Sequence, residues 1–395
     1  MPGRKRSTMV AVVPPDREIS CILITGSLQP YAVDFYRGLE RAMKAQGWRL
    51  RILVGSRSTY RPWTGLEAAD HDPLFLFFSG KPAPEWVQRL LGSSARDKIL
   101  LPGGSGIGEL LSQHAPDILI LNERNPLNLS AAFWARRHRV PCLLSTDIGA
   151  APPPHAATRF HLIYHRLIRG LFDGVIAKTK DGESAFAKAG ACAPILAPHG
   201  IDSSRFPLAS AAKAEPFRFL FVGALEASKG LDILTEAARL LHQRGLGFVI
   251  RLVGSGSWTP SAEDAASPWL SLAGFRERQE LLAEYHAASA FILPSKGDTY
   301  GVVVHEAASC ALPLLVSTAT GARHTLVIEG ESGFQFDPED AATLADRMAA
   351  LIGDPALCTR LGAKARELAL HWCTARSGER VAQWLQQFLP APASV

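Results

Sequence analysis

Several features that mark common classes of protein are missing from this sequence of 395 residues. It has no apolar run near the roughly 18 residues that a membrane-spanning helix needs. Its six cysteines are scattered without a C-x-x-C pair, so we expect buried free thiols in a reducing compartment. It has neither the G-x-S-x-G elbow of serine hydrolases nor a P-loop. No signal-peptide pattern is seen, and the default expectation is a cytoplasmic protein.

A strong net charge is also missing. The 42 Lys and Arg residues exceed the 37 Asp and Glu residues by only five, which is too little for a typical nucleic-acid binder, and we predict no nucleic-acid partner. The basic residues of the first half are nevertheless clustered, at Arg4-Lys5-Arg6, at Arg136-Arg137-His138-Arg139 and at His165-Arg166 with Arg169. These clusters are either solvated faces or contacts with an anionic membrane surface or a lipid-phosphate acceptor. The second interpretation predicts peripheral attachment at the inner face of a membrane.

Apolar strand-like runs alternate with helical patterns along the chain, and its length exceeds one ordinary core. This alternation predicts parallel strands with helices on both faces of each sheet. The pattern breaks at a short polar stretch and restarts at Phe217. We therefore predict an α/β fold of two Rossmann-like, doubly wound domains facing across a cleft. The predicted units are a tail at 1–19, a first domain at 20–207, a linker at 208–216, a second domain at 217–375 and a C-terminal helix at 376–395 that packs back on the first domain.

Two acids, Asp298 and Glu306, are separated by seven residues that include a Tyr300-Gly301 turn. The apolar run 290–293 precedes them, and a helical pattern follows. The order is therefore buried strand, polar loop and helix N-terminus. Loop amides and the positive end of a helix dipole favour phosphate, and carboxylates accept hydrogen bonds from vicinal hydroxyls. A nucleotide-sugar offers both groups.

Other segments of the second half fall in a recognisable order around this stretch. They are Phe221–Gly230, Leu252–Gly256, Ala273–Phe275, Ala311–Ser317 and Glu331–Phe334, with Pro198–Asp202 and Phe206 on the approach to the linker. Together they resemble the retaining glycosyltransferases of family four, which have the GT-B fold and an E-x7-E motif. The resemblance is strong from about Phe172 to the C-terminus and only architectural over 20–150.

The resemblance implies a retaining hexosyltransferase that moves a sugar from a nucleoside-diphosphate donor to an acceptor hydroxyl. UDP- or GDP-sugars are the favoured donors, and the acceptor would be a saccharide or a lipid-linked molecule of polysaccharide, lipopolysaccharide or glycoconjugate biosynthesis. We predict no cofactor and no metal, because no His, Cys and Asp cluster has the spacing of metal ligands. Lys229, loop amides and a helix dipole would neutralise the diphosphate instead.

The resemblance also implies roles for individual residues. Lys229 would lie beside the donor diphosphate, Glu306 would hold the ribose hydroxyls and Asp298 would contact the transferred sugar. Phe275 is either a base-stacking residue or a core residue. The implied donor-binding residues are Gly26, Gly223, Lys229, Gly254, Phe275, Arg276, Asp298, Thr299, Tyr300, Gly301, Val302 and Glu306. Among them, Gly26 is expected in a turn after the first strand.

Three departures from the family pattern stand out. The first acid is Asp298 instead of Glu, which shortens the side chain by one methylene. Ala224 replaces a second diphosphate cation, and Arg251 and Arg323 are candidates to substitute for it. Asp147 is the nearest polar residue to a first-domain position where the family often has histidine, although Asp before Gly also suits a turn. Two further acceptor-side candidates, more simply interpreted as ordinary histidines, are His155 and His161.

Two alternatives follow from the same residues. Ala224 and Asp298 are compatible with a nucleotide-sugar-binding protein of this fold that has lost catalysis. A different enzyme on the same two-domain plan, such as a nucleotide-sugar epimerase or a phosphorylase, is the second alternative. Turnover of a donor panel would discriminate between these classes.

Overall fold

Two parallel sheets organise the protein, which we describe from a computed structural model. The structure describes residues 17–57, 72–77, 81–82, 100–101, 106–122, 126–147, 169–188, 194–209 and 215–389. Within these ranges no helix is long and apolar enough to cross a bilayer. Several predictions lie outside them: the Arg4-Lys5-Arg6 cluster, Cys192, His155, His161, His165-Arg166 and all but the last three residues of a helix expected near 158–171.

The first sheet has seven parallel strands in the order β3-β2-β1-β6-β7-β8-β9. The strands of this half are β1 (Ile19–Leu28), β2 (Trp48–Arg57), β3 (Phe75–Phe77), β4 (Lys81–Pro82), β5 (Leu100–Leu101), β6 (Ile118–Asn122), β7 (Cys142–Thr146), β8 (Gly174–Ala177) and β9 (Pro194–Leu196). Its helices are α1 (Pro30–Lys44), α2 (Ile107–His114), α3 (Pro126–His138) and α4 (Lys180–Lys188). Strands β4 and β5 form a separate antiparallel pair.

The second sheet has six parallel strands in the order β12-β11-β10-β13-β14-β15. They are β10 (Phe217–Val222), β11 (Phe248–Val253), β12 (Leu270–Gly274), β13 (Ala290–Leu293), β14 (Leu314–Ser317) and β15 (Gly333–Phe336). Its helices are α5 (Leu231–Gln243), α6 (Ala262–Ala266), α7 (Arg278–Ala287), α8 (Val302–Ser309), α9 (Arg323–Leu326), α10 (Ala341–Gly353) and α11 (Pro355–His371). The predicted α/β class with two doubly wound parallel sheets is confirmed.

Both faces of the first sheet are buried, which explains its nearly continuous apolar strands. Along β1, Cys21 and Leu23 point into a core shared with α1, whereas Ile22 and Ile24 point into a core shared with α2 and α3. The last helix, α12 (Thr374–Leu385), closes the first of these cores with Val381 and Leu385, both completely buried. After the second sheet, the described chain thus returns to the first.

The structure corrects three local predictions. Strand β1 continues through Leu28, so Gly26 lies inside the strand and not in a turn after it. The C-terminal helix, predicted at 376–395, begins at Thr374 and ends at Leu385, and Ser377 and Gly378 also pack inward. Among the described cysteines, Cys358 and Cys373 are only partly buried, in contrast to the expectation that all are buried.

Candidate active site

The loops after β10 and β13 meet where the strand order of the second sheet reverses, which is where such sheets bind ligands. The Lys229 ammonium donates to the Asp298 carboxylate, with 2.6 Å between Nζ and Oδ2. The two side chains are 23% and 18% exposed, so both remain reachable from solvent. Two residues far apart in sequence are therefore brought together as an ion pair at the expected ligand position.

Gly230 allows the two loops to come this close. Its φ of 67° is left-handed, and a Cβ at this position would overlap the Pro294 carbonyl oxygen. Next to it, the Lys296 amide donates to the Ser228 carbonyl over 2.9 Å. The position of Lys229 is thus set by backbone contact between the loops, independently of its own side chain.

A turn after β14 holds the Asp298 backbone. The Asp298 amide donates to the Ala319 carbonyl at 3.1 Å, and the Gly321 amide donates to the Asp298 carbonyl at 3.0 Å. Asp298 and Thr320 form an isolated parallel bridge. The carboxylate therefore projects from a backbone fixed on both sides.

Helix α8 begins directly after this loop. Gly301 precedes it with a φ of 83°, and a Cβ there would lie 2.9 Å from the Thr320 side chain. No side chain caps the helix, and the amides of a first turn have no intrahelical acceptor. Tyr300 is buried beneath the turn, whereas Thr299 is exposed and Val302 is half-buried. The amides near Gly301 and Val302 are thus placed to meet an anion.

Glu306 lies further along α8 and is half-buried. The hydroxyl of the completely buried Tyr285 donates to its carboxylate at 2.7 Å. Burial raises the pKa of Glu306, the Tyr285 hydrogen bond and the charge of Arg278 oppose this rise, and the charge of Asp34 adds to it. Glu306 is therefore partly buried and hydrogen-bonded, and not a fully solvated helix residue.

Gly223 and Gly254, both expected to bind the donor, lie side by side at the strand ends. The Gly223 amide donates to the Val253 carbonyl at 3.0 Å, and the Gly254 amide donates to Gly274 at 2.9 Å. Phe275 follows directly and is 49% exposed, so the core interpretation of this residue is wrong. The guanidinium of Arg276 lies 3.8 Å from Glu284, beyond hydrogen-bonding distance. At this edge the Phe275 ring is exposed, and the Arg276 guanidinium forms no close ion pair with Glu284.

Neither arginine considered as a substitute for the missing cation is available. Arg251 donates to Glu284 at 2.7 Å and to Ser271 at 2.8 Å, beneath α7. Arg323 pairs with Asp181 of the first domain at 3.2 Å. Both guanidiniums are paired with carboxylates elsewhere, whereas Lys229 lies where the loops meet, paired there with Asp298.

Sequence reasoning missed the groups that the first domain brings to the cleft. The Arg205 guanidinium donates to Asp34 of α1 at 2.8 Å. Burial raises the pKa of Asp34, although the charges of Arg205 and Arg278 oppose it. Arg278 is the exposed first residue of α7, and its charge also acts on Glu306. No local motif marks these residues, because only the packing of the two domains assembles them.

Asp147 does not stand alone in a turn. Its carboxylate lies 2.6 Å from Nε2 of His199, which follows β9. Burial by itself would raise the pKa of Asp147, but the charges of His199 and Lys178 hold it below its usual value. Asp147 is thus an anion in a pair that the sequence did not reveal.

The described residues contain no group of three or more His, Cys, Asp or Glu arranged to hold a metal ion. The sequence has one Asp-x-Asp segment, Asp70-His71-Asp72, of which the structure describes only the last residue. The Asp72 carboxylate pairs with Arg37 at 2.8 Å.

The fold of nearly the whole chain matches solved glycosyltransferases. Sucrose-phosphate synthase from Thermosynechococcus elongatus superimposes with a TM-score of 0.69 at 19% identity, covering 94% of this chain and 99% of that one. HepE from Anabaena, solved with UDP-glucose, gives 0.68 at 17% identity, covering 94% of this chain and all of that one. The two parallel-sheet domains therefore adopt the GT-B fold.

The sequence comparisons concern less of the chain. Residues 216–354 match the family model described as glycosyl transferases group 1, a range that includes Lys229, Asp298 and Glu306. Glycogen synthase from Mycobacterium tuberculosis is 33% identical over 175 residues, or 43% of this chain and 42% of that protein. The chain thus spans about two-fifths of the length of this curated relative. The second domain is the part related in sequence to group 1 glycosyl transferases.

Proposed function

We propose that the protein transfers a hexose from a nucleoside-diphosphate donor to an acceptor hydroxyl with retention of anomeric configuration. The observation that carries the proposal is the Lys229–Asp298 ion pair at the reversal of strand order, beside the N-terminus of α8. A cation, a carboxylate and open amides at one point suit a sugar joined to a diphosphate.

In the proposed complex the donor extends along the carboxyl edge of the second sheet. Phe275 stacks on the base, with Arg276 beside it, and Glu306 binds the ribose hydroxyls. The amides around Gly301 and the ammonium of Lys229 take the diphosphate. Lys229 stabilises the charge that develops on the departing nucleotide, an effect that is largest where the cation is already in place.

Asp298 has a second role in this proposal. The ion pair with Lys229 orients its carboxylate, which in the proposed complex lies where the hexose joins the diphosphate. It accepts hydrogen bonds from hexose hydroxyls, and its short side chain leaves space that a glutamate would fill. The identity of this residue therefore bears on which sugar is used.

The proposed chemistry needs no enzymatic nucleophile. The bond from the anomeric carbon to the leaving phosphate breaks, the acceptor oxygen attacks the same face, and the leaving phosphate takes the acceptor's proton. Closure of the domains over the donor excludes water and limits hydrolysis. No metal is assigned, because Lys229 and the α8 amides supply the positive potential.

We further propose that the protein is cytoplasmic. Its first domain would contact a membrane surface that carries the acceptor. Phe133 of α3 is 60% exposed, and the exposed cations Arg137, one helical turn further on, and Arg139, just after the helix, follow it. An apolar ring within a basic patch suits an anionic membrane surface. Cosedimentation with anionic but not zwitterionic vesicles, lost in Phe133→Ser/Arg137→Glu, would support this attachment, and equal recovery with both would oppose it.

A nucleotide screen tests the donor assignment. The thermal stability of the protein would be measured with UDP, GDP, ADP and their hexose derivatives. A ligand at a hundred times its Kd should stabilise the fold by roughly 2.7 kcal/mol. Lys229→Ala and Glu306→Ala should abolish this gain, whereas Lys364→Ala, on the surface of α11, should preserve it. A flat response of the wild type to every nucleotide would contradict the proposal.

A donor-binding protein without transfer is the second candidate. Ala224 favours it, because Arg251 and Arg323 are paired with carboxylates elsewhere. Of these three cations, Lys229 alone would then contact the diphosphate, which weakens stabilisation of the leaving group. Nucleotide binding without nucleotide release would support it. Release of epimerised nucleotide-sugar would instead indicate an epimerase.

A further inference from the structure

A buried hydroxyl, that of Tyr285, lies behind the candidate ribose-binding residue. Tyr285 stands near the end of α7 and is completely buried, whereas Glu306 is half-buried in the middle of α8. The Tyr285 hydroxyl donates to Oε2 of Glu306 with 2.7 Å between the two oxygens. A ligand in the cleft can therefore reach the Glu306 carboxylate, whereas Tyr285 acts on that carboxylate from inside the domain.

The direction of this hydrogen bond is fixed. Burial, followed by the charge of Glu306, raises the pKa of the Tyr285 hydroxyl well above its usual value, so the phenol keeps its proton and donates it. An ionised carboxylate can only accept. Among the described residues no hydrogen bond to the other oxygen of Glu306, Oε1, is found. One oxygen thus anchors the side chain, and the other is left for a ligand.

Packing from two sides restrains the Tyr285 ring. Phe206, on the approach to the linker, meets it edge to face with 6.1 Å between ring centroids, and Phe291 of β13 lies at 6.2 Å. Nε2 of the adjacent His286 lies 2.8 Å from the Pro207 carbonyl oxygen, which holds this end of α7 against the same segment. The hydroxyl is therefore presented by a ring that has little freedom to move.

Resting on the proposed function, we infer that Tyr285 is a positioning residue for Glu306, whose Oε2 it holds so that Oε1 faces the ribose hydroxyls of the donor. Tyr285 itself touches no substrate. A carboxylate that is held before binding loses less rotational freedom when the ribose arrives. The role concerns affinity for the ribose and not for the base or the diphosphate.

A pair of nucleotides separates this role from simple packing. Calorimetry would use whichever of UDP, GDP and ADP stabilises the wild type, together with its dideoxyribose counterpart, which lacks both ribose hydroxyls. The wild type should bind the ribonucleotide at least about tenfold more tightly, because the hydroxyls bond to a charged group. Tyr285→Phe keeps the ring, and it should weaken the ribonucleotide about tenfold and the dideoxynucleotide less than about threefold. Equal weakening of both nucleotides would reduce Tyr285 to a packing residue and overturn the inference.

A double variant tests whether Tyr285 acts through Glu306. Once Glu306→Ala has removed the carboxylate, the Tyr285 hydroxyl has nothing to hold. Tyr285→Phe/Glu306→Ala should therefore bind the ribonucleotide no more weakly than Glu306→Ala alone. Losses that add in the double variant would contradict the positioning role.

Tyr36→Phe is the matched control. Tyr36 of α1 is 3% exposed and its ring centroid lies 6.5 Å from that of Phe75, so the substitution also removes the hydroxyl of a buried tyrosine. It should leave the preference for the ribonucleotide unchanged. An equal loss of preference in Tyr36→Phe and Tyr285→Phe would count against a specific role of Tyr285.

A titration gives a readout that needs no nucleotide. The carboxyl carbon of Glu306, labelled with ¹³C-glutamate and assigned with Glu306→Gln, reports its ionisation by NMR. The groups that face it are Tyr285 and Arg278 of α7 and Asp34 of α1. Burial raises the pKa of Glu306, and the Tyr285 hydrogen bond is the largest effect that lowers it, so the midpoint should rise in Tyr285→Phe. An unchanged midpoint would show that the hydroxyl does not hold this carboxylate.

The outcomes distinguish this inference from the proposed function. A wild type that responds to no nucleotide would defeat the proposed function. A wild type that prefers the ribonucleotide, with the same preference in Tyr285→Phe, would defeat the positioning role of Tyr285 alone.

Discussion

The two domains share a strand order but provide polar groups at their strand ends in different ways. In the second domain, glycines and backbone amides shape the site, and one ion pair, Lys229–Asp298, completes it. In the first domain, the cluster of Asp147, Lys178 and His199 is built from side chains. In the proposed function, the backbone groups of the second domain bind the nucleoside diphosphate of the donor. The side chains of the first domain can differ according to the acceptor.

The largest expected effect comes from Gly230→Ala. A Cβ there would overlap Pro294 in a left-handed backbone, so we expect a loss of about 2–4 kcal/mol in unfolding free energy. The displaced Lys229 should cost at least about 10²-fold in kcat/KM. Gly245→Ala is the matched control, because it has a φ of 74° with no atom within 4 Å and should lose only about 1 kcal/mol. Chemical denaturation would measure both variants, and equal losses of unfolding free energy in Gly230→Ala and Gly245→Ala would show that the loop contact is unimportant.

A pH experiment compares two buried histidines. His199 faces a carboxylate, whereas Nε2 of His305 faces the Ala369 carbonyl at 2.9 Å. Burial lowers the pKa of His305 from 6.5 to about 4, although the bond to Ala369 opposes this. The unfolded chain therefore binds the proton first, and stability should fall by about 3 kcal/mol as the pH drops from 6.5 to 4.

The control for this experiment is His305→Gln, in which the part of the pH slope due to His305 should disappear. Urea midpoints at several pH values would measure it. Identical slopes in the variant and the wild type would show that His305 does not titrate between these values.

Asp298→Glu sharpens the assignment of sugar selection to the second domain. The longer carboxylate would occupy space beside the hexose while retaining charge near Lys229. We expect a change of about tenfold in the ratio of kcat/KM values for two donor hexoses, with nucleotide affinity little changed. Asp298→Asn should lower turnover for all hexoses alike. An unchanged ratio in Asp298→Glu, measured with competing donors, would remove Asp298 from sugar selection.

The smallest expected effect concerns the contact between the domains. Asp181 of α4 accepts from Arg323 at 3.2 Å and lies 2.8 Å from His324 of α9. These side chains are partly exposed, so Asp181→Asn should cost no more than about 1 kcal/mol and raise donor KM a few-fold. Asp346→Asn breaks a pair with Arg244 inside the second domain and should leave KM unchanged. If Asp346→Asn raised donor KM as much as Asp181→Asn, the effect would come from the loss of a negative charge and not from the contact between the domains.

Sequence reasoning located most of the fold because buried parallel strands are apolar throughout. The apolar run 290–293, expected as a buried strand before the two acids, is strand β13 (Ala290–Leu293) with all four residues buried. Strands β9 and β15 were missed, since each is short and begins with a residue, Pro194 or Gly333, that normally marks a turn.

For the candidate site, motif order placed Lys229 near Asp298, and the structure brings them together. It could not find the partner of Glu306, Tyr285, or the partner of Asp147, His199, because those pairs depend on tertiary packing. The roles of all these residues stay predictions until donor binding is measured.

The return of α12 to the first sheet has a mechanical consequence. The chain passes between the domains twice, near Pro207 and again near Trp372, and the two passages touch. The Thr374 amide donates to the Ile201 carbonyl at 3.1 Å, and a Cβ on Gly200 would lie 2.7 Å from the Trp372 carbonyl oxygen. Two crossing segments that are hydrogen-bonded to each other restrict the domains to rotation about one axis. A single linker would allow the domains to rotate about several axes. A cut in one passage alone should therefore leave both halves folded but free to twist.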